Sequence, residues 1–140
     1  MNLSEAANRV IDLARKVREY YDTELPKRHP NYPLVGLDEE DPPPPAEEEE
    51  LRAFLATLPE EMIYRLILLM YLGRGDFAPD ELAEYYESMK PPFGGPEHAV
   101  SQMMDQAPLA DYLLDGLEEL RKQNINADRM PLKKGKVRKK

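Results

Sequence analysis

The 140-residue chain contains no cysteine, which excludes disulfide frameworks, thiolate zinc sites and cysteine nucleophiles, and fits a reducing compartment. Only two histidines, His29 and His98, are available as near-neutral acid–base groups, and neither stands in an HExxH or similar ligand spacing. A phosphate-binding glycine loop, a dinucleotide fingerprint and a nucleophile-elbow serine are also missing. The chain is therefore read as non-enzymatic, with no cofactor and no metal. Long apolar runs are absent too. The longest, Met62 to Leu72, is interrupted by Arg65, whereas a transmembrane helix needs about 20 apolar residues. The N-terminus MNLSEAANRV has no basic stretch leading into an apolar one, so no secretory signal is read and a cytoplasmic location is expected.

Charge is abundant but unevenly placed. The formal net charge is −8, yet Lys133, Lys134, Lys136, Arg138, Lys139 and Lys140 hold six of the nineteen basic residues. The remainder sets thirteen basic residues against twenty-seven acids. Such a body repels nucleic-acid phosphates, so any contact of that kind falls to the tail.

Hydrophobic spacing predicts helices throughout, with no sustained period-two alternation. The first is expected to start at Ser4, to bury Ala7, Val10, Ala14, Val17 and Tyr21, and to stop at Pro26. Residues 26 to 45 hold seven prolines and the acidic run Asp38 to Asp41, and read as a linker whose last four prolines favour a stiff extended spacer. Glu47 to Glu50 then suit the first turn of a helix burying Leu51, Phe54, Leu55 and Leu58. Thr57 and Glu60 match a capping box for the next helix, 62 to 72, which is apolar almost all round and is expected at the centre of the fold.

Gly73 is the expected stop of that central helix. A fourth helix is expected from Pro79, with Phe77 and Leu82 spaced as a hydrophobic staple, and an end at Pro91 and Pro92. Gly94, Gly95 and Pro96 turn into a short helix bearing Val100, Met103 and Met104. Pro108 opens the last, with Leu109, Leu113, Leu117 and Leu120 on one side and Gly116 where a neighbour approaches closely. The expectation is a single all-α domain over residues 1 to 122. It is a compact orthogonal bundle of about six helices, followed by a mobile basic tail from 123 to 140.

Several stretches carry a resemblance: Leu3 and Ser4 leading into Asp12, Ala14 and Arg15; the run from Leu68 to Phe77, LLMYLGRGDF; and Pro108 to Leu113 with Gly116 and Leu117. Over residues 3 to 25 and 51 to 120 the chain resembles a bacterial domain-of-unknown-function family, number 3775. The resemblance implies a helical domain and brings no activity, substrate or cofactor.

Two segments are candidates for interaction. In Gly73-Arg74-Gly75-Asp76-Phe77, Arg74 is placed to present its guanidinium to a carboxylate or phosphate with Asp76 orienting it. In the alternative, Gly73 caps one helix, Phe77 staples the next, and Arg74 and Asp76 pair across the turn. The Arg-Gly-Asp triplet also looks like an integrin-binding tripeptide, a coincidence in an intracellular chain. The tail, Lys133 to Lys140, suits an anionic surface, a nucleic acid or an acidic partner, but it has no aromatic for base stacking. The eight carboxylates between Asp38 and Glu50 lack the glycine turn of a calcium loop and read as solvated, and the PxxP spacing has no basic neighbour. Tyr85, Tyr86, Met89, Met103 and Met104 recur at helical spacing and read as core, the alternative being an adaptable groove.

These readings converge on a protein-interaction or scaffold module with an unidentified protein partner. A homo-oligomer stays open. The alternative is a nucleic-acid-associated accessory protein anchored by its basic tail.

Overall fold

A computed structural model describes residues 1–28, 44–106 and 108–130. Helix α1, Leu3–Glu19, is capped by Asn2 rather than Ser4: the Asn2 side chain accepts from Glu5 N–H at 2.8 Å, and the Glu5 carboxylate accepts from Asn2 N–H at 3.0 Å. Nor does Pro26 stop it. The rod passes through a π-helical turn, Tyr20–Glu24, into a last α-turn, Leu25–Arg28. Proline breaks an α-helix because it lacks the donor for the carbonyl four residues back. Here the wider turn has already moved the pattern to five, with Leu25 N–H bonding Tyr20 C=O. The expected linker therefore loses residues 26–28 to helix, and 29–43 lie outside the described residues.

Helix α2, Ala46–Thr57, carries Glu47, Glu48 and Glu49 in its first turn, where the helix dipole favours negative charge. Thr57 makes no capping box. Its hydroxyl donates back to Phe54 C=O at 2.7 Å, because Thr57 is still helical and Leu58 and Pro59 are extended. Pro59 disfavours a helical Leu58, and the next helix begins one step beyond the proline.

Helix α3, Glu60–Arg74, is the centre. Ile63, Tyr64, Leu66 to Met70 and Leu72 are buried on every side, and α3 packs against α1 and the three helices that follow it. Its stop is Gly75, at φ 88°, with Gly75 N–H bonding Leu72 C=O and Asp76 N–H bonding Tyr71 C=O, each at 3.0 Å. Gly73, the expected stop, is helical. A 3-10 turn, Pro79–Glu81, leads into α4, Leu82–Phe93, and the Glu81 carboxylate accepts from Ala78 N–H at 2.8 Å. Pro91 and Pro92 lie within α4 instead of ending it; the carbonyls of Glu87 and Ser88, which lose their donors, are on exposed residues that water reaches. Gly94, at φ 73°, closes the helix.

Helices α5, Pro96–Met104, and α6, Leu109–Lys122, complete six helices among the described residues, which contain no strand. The α3–α6 crossing is the most extensive contact between helices. It rests on two glycines. A Cβ on Gly73 would lie 2.8 Å from Gly116 N and closer still to the Tyr112 carbonyl, and one on Gly116 would lie 2.9 Å from Leu69 Cδ1. Gly116 thus serves the close approach expected of it, and Gly73 serves the same approach from the other side.

The C-terminal segment departs from expectation. Residues 124–130 lack apolar periodicity but fold back: Asn124 N–H bonds Arg121 C=O, Ile125 N–H bonds Leu120 C=O, and Met130 is buried. Arg65 donates to the carbonyls of Met130 (2.7 Å) and Asp128 (2.6 Å), and Asp128 Oδ1 accepts from Ser4 N–H at 2.8 Å. A lone cation in an apolar helix is satisfied by another segment's backbone. Residues 131–140 lie outside the described residues.

Candidate functional site

Each residue of the Gly73–Phe77 turn has an internal role. Gly73 seats α6, Gly75 ends α3, and Asp76 closes the cap. The Arg74 guanidinium lies 5.1 Å from the centre of the Tyr71 ring and 6.0 Å from that of Tyr112, within cation–π range, and 3.5 Å from Asp76 Oδ2. Phe77 stacks on Tyr85 at 4.2 Å, and Tyr85 meets the edge of Tyr71 at 6.0 Å. Burial raises the hydroxyl pKa of Tyr71 above its usual 10, reinforced by Tyr85 and Asp76, while Arg74 pulls against it. Tyr85 is likewise raised by burial, then by Asp76. The turn is an aromatic brace with one half-exposed cation.

Of the tyrosines and methionines at helical spacing, Tyr86, Met89 and Met103 are buried, and Tyr85 and Met104 pack partly against the core. His98 is exposed near the start of α5, and His29 lies outside the described residues. Among the described residues no group of three or more His, Asp or Glu side chains is placed to hold a metal ion. No helix among them is long and apolar enough to cross a membrane.

Two clefts lie elsewhere, along α2 and α5. One cleft of about 450 Å³ has an apolar floor of Ala14, Val17, Leu51, Met104 and Leu109 and a polar rim that includes Arg18, Tyr21, Asp22, Glu48 and Asp105. A second, of about 370 Å³, is lined by Ala56, Leu58, Ile63, Pro96, Glu97, Val100 and Ser101. Arg52 lines both, and Arg74 lines neither. The first cleft takes the early part of α2 and the end of α5, the second the reverse. The two helices therefore run antiparallel, and the clefts lie toward opposite ends of the α2–α5 seam with Arg52 lining both.

Rim charges are sorted by geometry. Arg18 Nε pairs with Asp22 Oδ2 at 2.8 Å, and Tyr21 Oη donates to Glu48 Oε1 at 2.7 Å. Arg52, Asp105 and Glu97 form no ion pair among the described residues. Nothing in the spacing of the sequence marks Arg52, because its importance comes from two walls built by residues as distant as Val17 and Leu109.

Fold and clefts together define a small all-α bundle domain with two clefts along the α2–α5 seam and a braced helix junction. The chain belongs to the family described as protein of unknown function (DUF3775), whose model matches residues 48–121, from the first turn of α2 to the last turn of α6. The matched stretch contains α3, the glycine crossing and the walls of both clefts, apart from what α1 contributes. No curated protein and no solved structure matches the chain at a significant level.

Proposed function

We propose that this chain is a protein-interaction module that receives a short segment of a partner protein along the α2–α5 seam, the two clefts serving as one groove. The observation that carries this reading is the pair of apolar-floored clefts along one helix seam that share Arg52 as a lining residue. Each cleft has room for side chains, and two of them along one helix seam suit alternate side chains of a bound segment. Apolar floors provide burial and the charged rim provides selection. The Gly73–Phe77 turn enters as a brace that holds α3 and α6 in place, not as a contact surface.

Photocrosslinking tests this directly. A photoreactive residue at Ala56 or Ser101, both exposed beside the groove, is expected to capture one discrete protein that the same group at Glu87 on α4 does not. Capture from Glu87 alone, or equal capture from all three, would refute the reading.

The alternative, a nucleic-acid accessory protein, is supported by the charge of Lys133 to Lys140 alone. It requires binding that collapses with salt and disappears on removing those residues.

A further inference from the structure

Resting on the groove reading above, we infer that the partner segment is an amphipathic helix bearing a basic residue, a carboxylate and a second basic residue at i, i+4 and i+8 along one face. The charge order of the groove leads to this. Arg18 is paired with Asp22, and Glu48, which accepts from Tyr21, adds a second negative charge beside Asp105; Arg52, Asp105 and Glu97 have neither an ion pair nor a side-chain hydrogen bond among the described residues. Asp105 stands in the first cleft, Arg52 lines both, and Glu97 stands in the second. Along the groove the sequence of charge is negative, positive, negative.

Asp105 and Glu97 sit at opposite ends of α5, eight residues apart, or about 12 Å at the rise of an α-helix. A partner helix lying alongside α5 repeats that spacing at i and i+8 and places i+4 opposite Arg52. Flanking apolar side chains on the same face then enter the clefts beside Leu51 and Met104 on one side and Ile63 and Val100 on the other. The acidity of the whole body favours the two basic positions and opposes a run of acids or phosphates, so one carboxylate at the centre is selected over a polyanion. Arginine at such a centre offers a planar, bidentate fit to that carboxylate.

The test uses the full chain and synthetic alanine-based helical peptides. One carries Lys, Glu, Lys at i, i+4 and i+8 with leucine at i+1 and i+5; a control carries Glu, Lys, Glu with the same leucines. Both control for self-pairing within the peptide. The first is expected to bind about tenfold tighter at low salt, with backbone amide shifts at Ala56, Val100 and Met104, and the preference should shrink as salt screens the pairs. Arg52→Glu, checked for folding by circular dichroism, is expected to lose that preference and to favour a peptide with Lys at all three positions. Asp105→Asn should weaken binding of the first peptide without changing which is preferred.

Equal affinity for both peptides, with shifts still confined to the groove, would overturn the charge pattern and leave the groove reading standing. Absence of groove shifts with every leucine-bearing peptide would overturn both. A dimer of the chain that dissociates on Arg52→Glu would assign the groove to a second copy and overturn the inference.

Discussion

Replacing Gly73 with alanine puts two opposed effects on one atom. On propensity alone, alanine in a helix interior is favoured over glycine by about 1 kcal/mol. Against this, the new methyl would stand 2.7 Å from the Tyr112 carbonyl carbon and 2.8 Å from Gly116 N, nearer still to the Tyr112 oxygen, and all three are backbone atoms that cannot rotate away. Carbon contacts relax at about 3.5–4.0 Å and the Tyr112 oxygen is nearer than either atom, so α3 and α6 must part by more than about 1 Å, and a gap of about 0.5–1 Å already forfeits a quarter to a half of each dispersion contact. Leu69, Leu72, Leu109 and Leu113 are all fully or nearly fully buried on these two helices. Overpacking of this kind costs about 1–3 kcal/mol and sometimes more. We expect Gly73→Ala to destabilise by a net of about 2 kcal/mol, the upper end of that cost less the propensity gain, a large share of a typical total of about 5–15 kcal/mol. Urea unfolding followed by circular dichroism measures it as a lower midpoint at unchanged slope. Gly116→Ala is expected to cost less, since part of its clash is with the movable end of Leu69. The double variant should cost less than the sum, because helices already parted admit the second methyl. A Gly73→Ala chain as stable as the original would refute the close-approach argument.

Arg65→Ala removes two charge-assisted bonds to the Asp128 and Met130 carbonyls and should release residues 125–130, with a stability loss of about 2 kcal/mol; hydrogen exchange at those amides reads it, and unchanged protection would sink the clasp. At high pH the sign follows from four tyrosines. Tyr64, Tyr71, Tyr85 and Tyr86 have hydroxyl pKa values raised above 10, in each case chiefly by burial, so the folded state holds them neutral more strongly than the unfolded state does. Their contribution is complete below pH 10 and is lost as pH rises through the raised values, so urea midpoints should fall above about pH 10. Tyr64→Phe should lessen that fall, and a midpoint flat to pH 12 would contradict it.

Local chemistry carries only short distances, and the errors of sequence reading follow that range. The all-α class, the buried centre at Met62 to Leu72 and most of the stripes of α1, α2 and α6 were legible because burial periodicity repeats within a few residues. Tyr21, expected on the buried face of the first helix, is exposed because the π-turn there shifts the face. Caps were legible in kind but displaced in place. Asn2 and Ser4 are both good N-caps, and Gly73 and Gly75 are both permissive stops, so composition alone did not choose between them.

The candidate residues divide in the same way. Arg74 and Asp76 are near in sequence, and their pairing across the turn followed from spacing; Phe77 was expected against Leu82, and the ring it stacks on is Tyr85. Arg65 was visible as a lone cation in an apolar run, though its partners, more than sixty residues away, were not.

By itself, then, the sequence determined the helical class, the central helix and the charge division between acidic body and basic tail, since each depends on residue type and near spacing. Tertiary structure decided what Gly73 is for, where Arg65 points and that Arg52 lines two clefts. Those depend on which helices cross, and at a crossing the neighbours that matter come from distant parts of the chain.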